Sequence, residues 1–235
     1  MNLLDYAIAG ILILYTLYGV YKGLLPSAFS IGAYIIAWLL ALLLMPLGSN
    51  MVKGNESLYN MMLYYTEGSE YVHDIELVRT DISDIGLEQL NEILVSGNLP
   101  YPMGKEIADN VNKETFASQN INTLGDYYNQ TFVCIFINIL VFLLLFVAIR
   151  VIIAFVINGI DYAWKLPKLR SGDAILGGAL GLIHGILTVF LIFMLLPIAL
   201  TILGQFEYVT NLVENSFFAP FFYRTNFLLS MMPGH

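Results

Sequence analysis

Residues 171–203 read SGDAILGGALGLIHGILTVFLIFMLLPIALTIL, and this stretch decides the class of the molecule. From Ala174 to Leu203 there is no Asp, Glu, Lys or Arg, and His184 is the one titratable side chain. About 20 apolar residues are enough to cross a bilayer core of ~30 Å, so the stretch predicts a membrane helix. Gly177, Gly181 and Gly185 recur every fourth residue, and Gly178 widens the bare strip. A helix face without side chains lets a second backbone come close, which is how membrane helices gain dispersion contacts. The run is longer than a vertical crossing requires, so a tilt, or a bend near Pro197, is expected. Phe190 is expected on a less constrained side of this helix.

The rest of the chain fits the same class. Of its 235 residues, 58% are hydrophobic and 12% charged, against roughly 45–50% and about 25% in soluble domains. Helix one is predicted from Leu3 to Tyr21, with Asp5 as an N-terminal charge or cap and Lys22 at its end. Gly19 and Gly23 form a Gly-x-x-x-Gly pair there, so the partner of the glycine face is expected in helix one or two. A second span is predicted from Pro26 to Leu47, with Pro26 in the first helical turn and Ser30, Ala33, Ala37 and Ala41 forming a small-residue stripe. A third starts near Thr131 and carries Arg150 close to its far end, where the side chain can reach the interface.

Between spans two and three the composition changes. Residues 46–130 hold 13 of the 18 carboxylates and only Lys53, Arg79, Lys105 and Lys113, a balance of −9, while the remainder balances at +1. An acidic extramembrane segment without a basic stripe leaves no footprint for nucleic acid. Amphipathic helices are expected from Asp84 to Val95, capped by Ser83 or Asp84 and stopped by Gly97, and from Lys105 to Ser118. The expected fold is therefore all-α: a bundle of about four transmembrane helices with a helical extracytoplasmic insert. Residues 1–47 hold helices one and two, 48–130 the insert, 131–204 helices three and four, and 205–235 an aromatic interfacial segment.

The short basic stretch Lys165, Lys168, Arg170 and Lys22 belong inside by the positive-inside rule. Both termini and the insert are then outside. No catalytic, metal or cofactor constellation is present: Cys134 is the one cysteine, and His73, His184 and His235 do not cluster in sequence. His184 falls ~15 Å into its helix, where a buried imidazole is expected to be structural, with Asn138 of span three as its polar partner. The lipid bilayer is the expected surrounding. A homo-oligomer and an extracytoplasmic protein partner of the acidic insert are further expectations.

The opening NLLDYAI, the turn GVYKG and the run SGDAILGGALGLIHGIL together resemble the colicin V production protein family of bacterial inner-membrane proteins. Asp5, Gly19, Gly23, Asp173, Gly177, Gly181 and Gly185 carry the resemblance. Relatives often have Arg after the signature Asp, where this chain has Ala174, and a basic-acidic pair where it has Pro26-Ser27. The acidic insert is longer than in compact members. The resemblance implies a role in bacteriocin production or export and in envelope homeostasis. The absence of a catalytic motif and the acidic insert point to a noncatalytic scaffold or accessory factor; a subunit of an oligomeric channel or transporter, favoured by the small-residue stripes, is the alternative expectation.

Overall fold

The computed structural model describes residues 1–163, 173–203 and 206–235, without the side chains at 157–163 and 207. Eleven helices follow in order among these: α1 Leu3–Lys22, α2 Leu24–Lys53, α3 Glu56–Thr66, α4 Ile75–Arg79, α5 Leu87–Ser96, α6 Met103–Asn112, α7 Leu124–Ala163, α8 Asp173–Phe193, α9 Leu196–Leu203, α10 Glu207–Glu214 and α11 Ala219–Arg224. Four stretches, Leu3–Lys22, Leu24–Lys53, Leu124–Val156 and Asp173–Leu203, are long and apolar enough to cross a membrane. Among the described residues there is no strand, only an isolated bridge between Asp81 and Thr123. The expected basic stretch at 165–170 lies outside the described residues.

Proline explains the break in the last of the four stretches. Pro197 lacks an N–H and its ring clashes with the carbonyl four residues back, which is Phe193, the residue where α8 ends. Met194 then bonds back to Leu191 O at 3.2 Å in a tighter turn, and α9 begins at Leu196. Pro46 lies inside α2, which runs on to Lys53 rather than ending at Leu47.

The chain forms two compact units. The first holds Met1–Pro46, Val141–Met194 and Thr210–Asn226. Its α1 and α8 run antiparallel in close contact, and Ala33, Ala37 and Ala41 of α2 are buried while Ile35, Ile36 and Leu39 are exposed. The second holds Leu47–Leu140, Leu195–Val209 and Phe227–His235. Its core is the first half of α7: Leu124, Tyr127, Tyr128, Phe132, Phe136 and Ile139 are all buried. A helix apolar and buried all round is a core helix. Thus the first half of α7, to Leu140, belongs to the same unit as the acidic segment, and the helix starts seven residues before the start expected near Thr131. Tyr71 stacks on Phe132 at 5.2 Å, and Gly68 is glycine because a Cβ would lie 2.7 Å from the Phe132 ring.

Within the acidic segment the helix borders differ from expectation for local reasons. The Asp81 carboxylate accepts the Ser83 N–H at 2.9 Å and its hydroxyl at 2.8 Å. That cap closes a 3₁₀ turn at Ile82–Asp84, so α5 starts later, at Leu87, behind Gly86. Gly97 is the stop, its N–H bonded to Ile93 O. α6 occupies Met103–Asn112 instead of running to Ser118, because Glu114 takes a positive φ of 49° that no α-helix continues through.

Candidate functional site

The positions that stand out in sequence converge on the crossing of α1 and α8. Gly19 lies against Gly177 and Gly181: a Cβ on Gly19 would overlap the Gly177 carbonyl oxygen and sit 2.9 Å from the Gly181 Cα. A Cβ on Gly181 would overlap the Tyr15 carbonyl oxygen and lie 3.1 Å from the Tyr15 carbonyl carbon and the Gly19 Cα. Gly185 faces Tyr15 and Leu12, and Gly178 faces Val20. The register falls on α1 as it rises on α8, so the helices are antiparallel with backbone against backbone. Gly19, Gly177 and Gly181 are needed for space, since a Cβ on any of them would run into backbone atoms, while Gly185 is tight at 3.1–3.4 Å against ordinary carbon contacts of ~3.5–4.0 Å. By contrast, a Cβ on Gly10 or Gly32 would meet nothing within 4 Å.

A carboxylate fixes each end of this crossing. At one end Asp173, first residue of α8, accepts the Leu24 N–H at 2.7 Å and so caps α2. An acceptor at a helix start satisfies an otherwise orphaned donor. Gly23 links α1 to α2 with φ 82°, a conformation open to glycine, and any Cβ there would strike the Asp173 carboxylate.

At the other end Asp5 is fully buried, at 0% exposure. Asn2 and Asp5 make a reciprocal capping box: Asp5 N–H donates to Asn2 Oδ1 at 3.2 Å, and Asn2 N–H to Asp5 Oδ2 at 2.8 Å. The second oxygen, Oδ1, accepts the Ser216 hydroxyl at 2.6 Å and the N–H groups of Phe217 and Phe218 at 2.9 and 3.0 Å. Ser216 Oγ in turn accepts the Ala219 N–H at 2.9 Å. One side chain therefore starts α1 and holds the turn into α11. The Asn2-x-x-Asp5 spacing signals the first role. Nothing in sequence announces Ser216, 211 residues away.

His184 lies between two tyrosines. Its ring centroid is 4.8 Å from that of Tyr15 and 4.7 Å from that of Tyr34, and the residue is 8% exposed. Tyr34 donates its hydroxyl to Leu187 O at 3.2 Å and carries the Arg150 guanidinium over its ring at 5.7 Å. Arg150 thus has a cation–π partner. A recess with room for about one water is lined by Tyr15, Tyr18, Lys22, Ser27, Ser30 and His184. Asn138, the polar partner expected for His184, lies in the second unit, where its Nδ2 donates to Pro233 O at 2.7 Å. Phe190 is also more constrained than expected. It is buried, packs on Phe222 at 5.2 Å and receives the Asn226 amide on its carbonyl at 2.9 Å.

Among the described residues no group of three or more His, Cys, Asp or Glu could hold a metal ion. Cys134 is buried. The arrangement is one of anchors and close contacts: both oxygens of Asp5 and Oδ1 of Asp173 accept from backbone donors.

No curated protein and no solved structure matches the chain. The family described as Colicin V production protein matches over residues 4–67 and 115–226, which takes in Asp5, Gly19, Gly23, Asp173 and the three spaced glycines of α8. With four long apolar helices and a match over most of its length, this chain belongs to the Colicin V production protein family.

Proposed function

We propose that the protein is a noncatalytic, multi-pass accessory factor of the bacterial inner membrane that supports toxin production or export and envelope homeostasis. Its acidic segment would be presented on the extracytoplasmic side as a surface for a protein partner. The observation that carries this reading is the use made of Asp5 and Asp173. Both family-matched carboxylates cap helices and tie segments together, which is architecture rather than chemistry. The glycine stripe of α8 is likewise taken up by α1 of the same chain, so it does not call for an oligomeric channel.

The test is genetic and then electrical. Deletion of the gene in a toxin-producing host should reduce secreted toxin and sensitise the envelope, and the intact chain should restore both. Purified protein in planar bilayers should pass no current above the lipid background. Discrete single-channel events that vanish on denaturation would overturn the accessory reading in favour of a channel subunit. Orientation follows from cysteines placed at Ser96 and Ser171: an impermeant reagent should label the first in intact cells and not the second.

A further inference from the structure

The second unit contains a slot that reads polypeptide backbone, filled in this structure by residues 232–235 of the same chain. Three side chains point into it: Asn110 of α6 and Asn138 of α7, each residue 2% exposed, and Glu106 of α6, whose side chain is 11% exposed. Asn138 Nδ2 donates to Pro233 O at 2.7 Å, and Asn110 Nδ2 to Gly234 O at 2.8 Å. Glu106 Oε2 accepts the Gly234 N–H at 3.0 Å, and Lys53 Nζ donates to His235 O at 2.9 Å. Every one of these bonds goes to the main chain. The His235 residue is exposed, Pro233 is half-buried, and the side chain of Met232 supplies an apolar anchor.

Side-chain identity enters at one further point. A Cβ on Gly234 would lie 2.9 Å from Glu106 Cβ, 2.9 Å from Thr131 Cγ2 and 3.0 Å from Asn110 Nδ2. The slot therefore demands glycine at that place and tolerates variety around it. When the slot empties Asn138 loses its Pro233 partner and Asn110 and Glu106 each lose one of two, since Asn110 also donates to Thr131 Oγ1 at 2.9 Å and Glu106 Oε1 lies 3.6 Å from Lys105 Nζ. Lost buried partners are costly, so an empty slot favours recapture of an extended segment. Lys53, Thr131 and Asn138 of the slot lie within the residues matched by the family, 4–67 and 115–226, whereas α6 and residues 227–235 fall outside them. These last two are a feature of this chain beyond the family frame.

We propose that this slot is a peptide-binding site for an extended segment with an apolar residue two places before a glycine, held in cis by Met232–His235 and open to exchange with a segment of the same chemistry in trans. The proposal does not depend on the accessory role above, since it concerns backbone recognition alone.

The experiment uses the full chain and a synthetic peptide of residues 231–235, Met-Met-Pro-Gly-His, labelled at its N-terminus. Full-length Gly234→Ala, whose own tail is displaced by the added methyl, should bind this peptide at least tenfold more tightly than the parent does by fluorescence anisotropy. The same peptide with alanine for glycine should bind neither protein. A folded Gly234→Ala chain that binds no peptide overturns the proposal, as does equal binding of the alanine peptide. Should Gly234→Ala fail to fold, a spin label on full-length His235→Cys, with Cys134→Ser, decides the matter. Saturating peptide should mobilise the label and the alanine peptide should not; an unchanged spectrum at saturation refutes exchange.

Discussion

Gly181→Leu probes the helix crossing where the structure leaves least room. Even the first added carbon would overlap the Tyr15 carbonyl oxygen and lie 3.1 Å from both the Tyr15 carbonyl carbon and the Gly19 Cα. To bring the carbon contacts alone back to ~3.5–4.0 Å the helices must separate by roughly 0.5–1 Å, and the Tyr15 carbonyl oxygen demands more; a gap of roughly 0.5–1 Å already forfeits about a quarter to a half of the dispersion energy along the seam. Overpacking of this kind costs about 1–3 kcal/mol, occasionally more, and the leucine branch places it at the upper end. Gly10→Ala is the matched control, since nothing lies within 4 Å of its Cβ position; it should be neutral or gain up to ~1 kcal/mol of helix propensity. Thermal unfolding of the purified proteins in one detergent, followed by circular dichroism, makes the comparison. Gly181→Leu melting with the parent, or no worse than Gly10→Ala, would refute the close contact.

Asp5→Asn should destabilise by about 2–4 kcal/mol, because an amide nitrogen facing the Asn2 N–H replaces an acceptor and hydrogen bonds to a charged group are worth ~1.5–3 kcal/mol each. Chemical unfolding measures it, and limited proteolysis after Ser216 should accelerate in step. His184→Gln should lose about 1–3 kcal/mol through its two aromatic contacts, at ~0.5–1.5 kcal/mol each, and keep most activity in a toxin-secretion assay. Loss of activity with normal folding would contradict a structural role. Outside the membrane spans, the Ser83 N–H and hydroxyl hold the Asp81 carboxyl below the usual carboxylate range. Its folded pKa is depressed, so its contribution is present above the unfolded value of ~3.9 and fades as pH falls through the folded one. Amide exchange at Ser83 should therefore speed up below about pH 4, and Asp81→Asn should abolish that dependence. Glu70 carries the opposite sign, because its hydrogen bond with Glu67 raises it: that contact should weaken as pH climbs above ~4.3.

The long apolar helices could be read from composition and run length because the bilayer imposes both. The glycine face could be read as close contact for a similar reason, a period of four with no side chain to fill the gap. Asp5 was legible as a cap through its spacing from Asn2, yet its second oxygen serves Ser216, Phe217 and Phe218, a pairing set by tertiary packing alone. His184 illustrates a further limit. Depth along a helix suggested only a polar partner, Asn138, and gave no sign that the ring rests between Tyr15 and Tyr34, whose aromatic faces leave no periodic mark. The third long helix starts at Leu124 rather than near Thr131, and hydropathy does not distinguish a helix wrapped by protein from one wrapped by lipid. The first half of α7 is wrapped by protein.

The central claim is that α1 and α8 of one chain lie backbone to backbone. Cysteines at Tyr15 and Gly185 test it most directly, in a chain carrying Cys134→Ser. The Tyr15 Cβ lies 3.1 Å from a Cβ built at Gly185, and a small relaxation reaches the ~3.5–4.5 Å that a disulfide spans. Mild oxidation in native membranes should give a cross-link within a single chain, seen as a monomer whose two proteolytic fragments stay joined until reduced. A Leu14 and Gly185 pair, with Leu14 on the exposed face, should not cross-link. A Tyr15 and Gly185 pair that stays reduced, or that joins two chains into a dimer, would contradict the account.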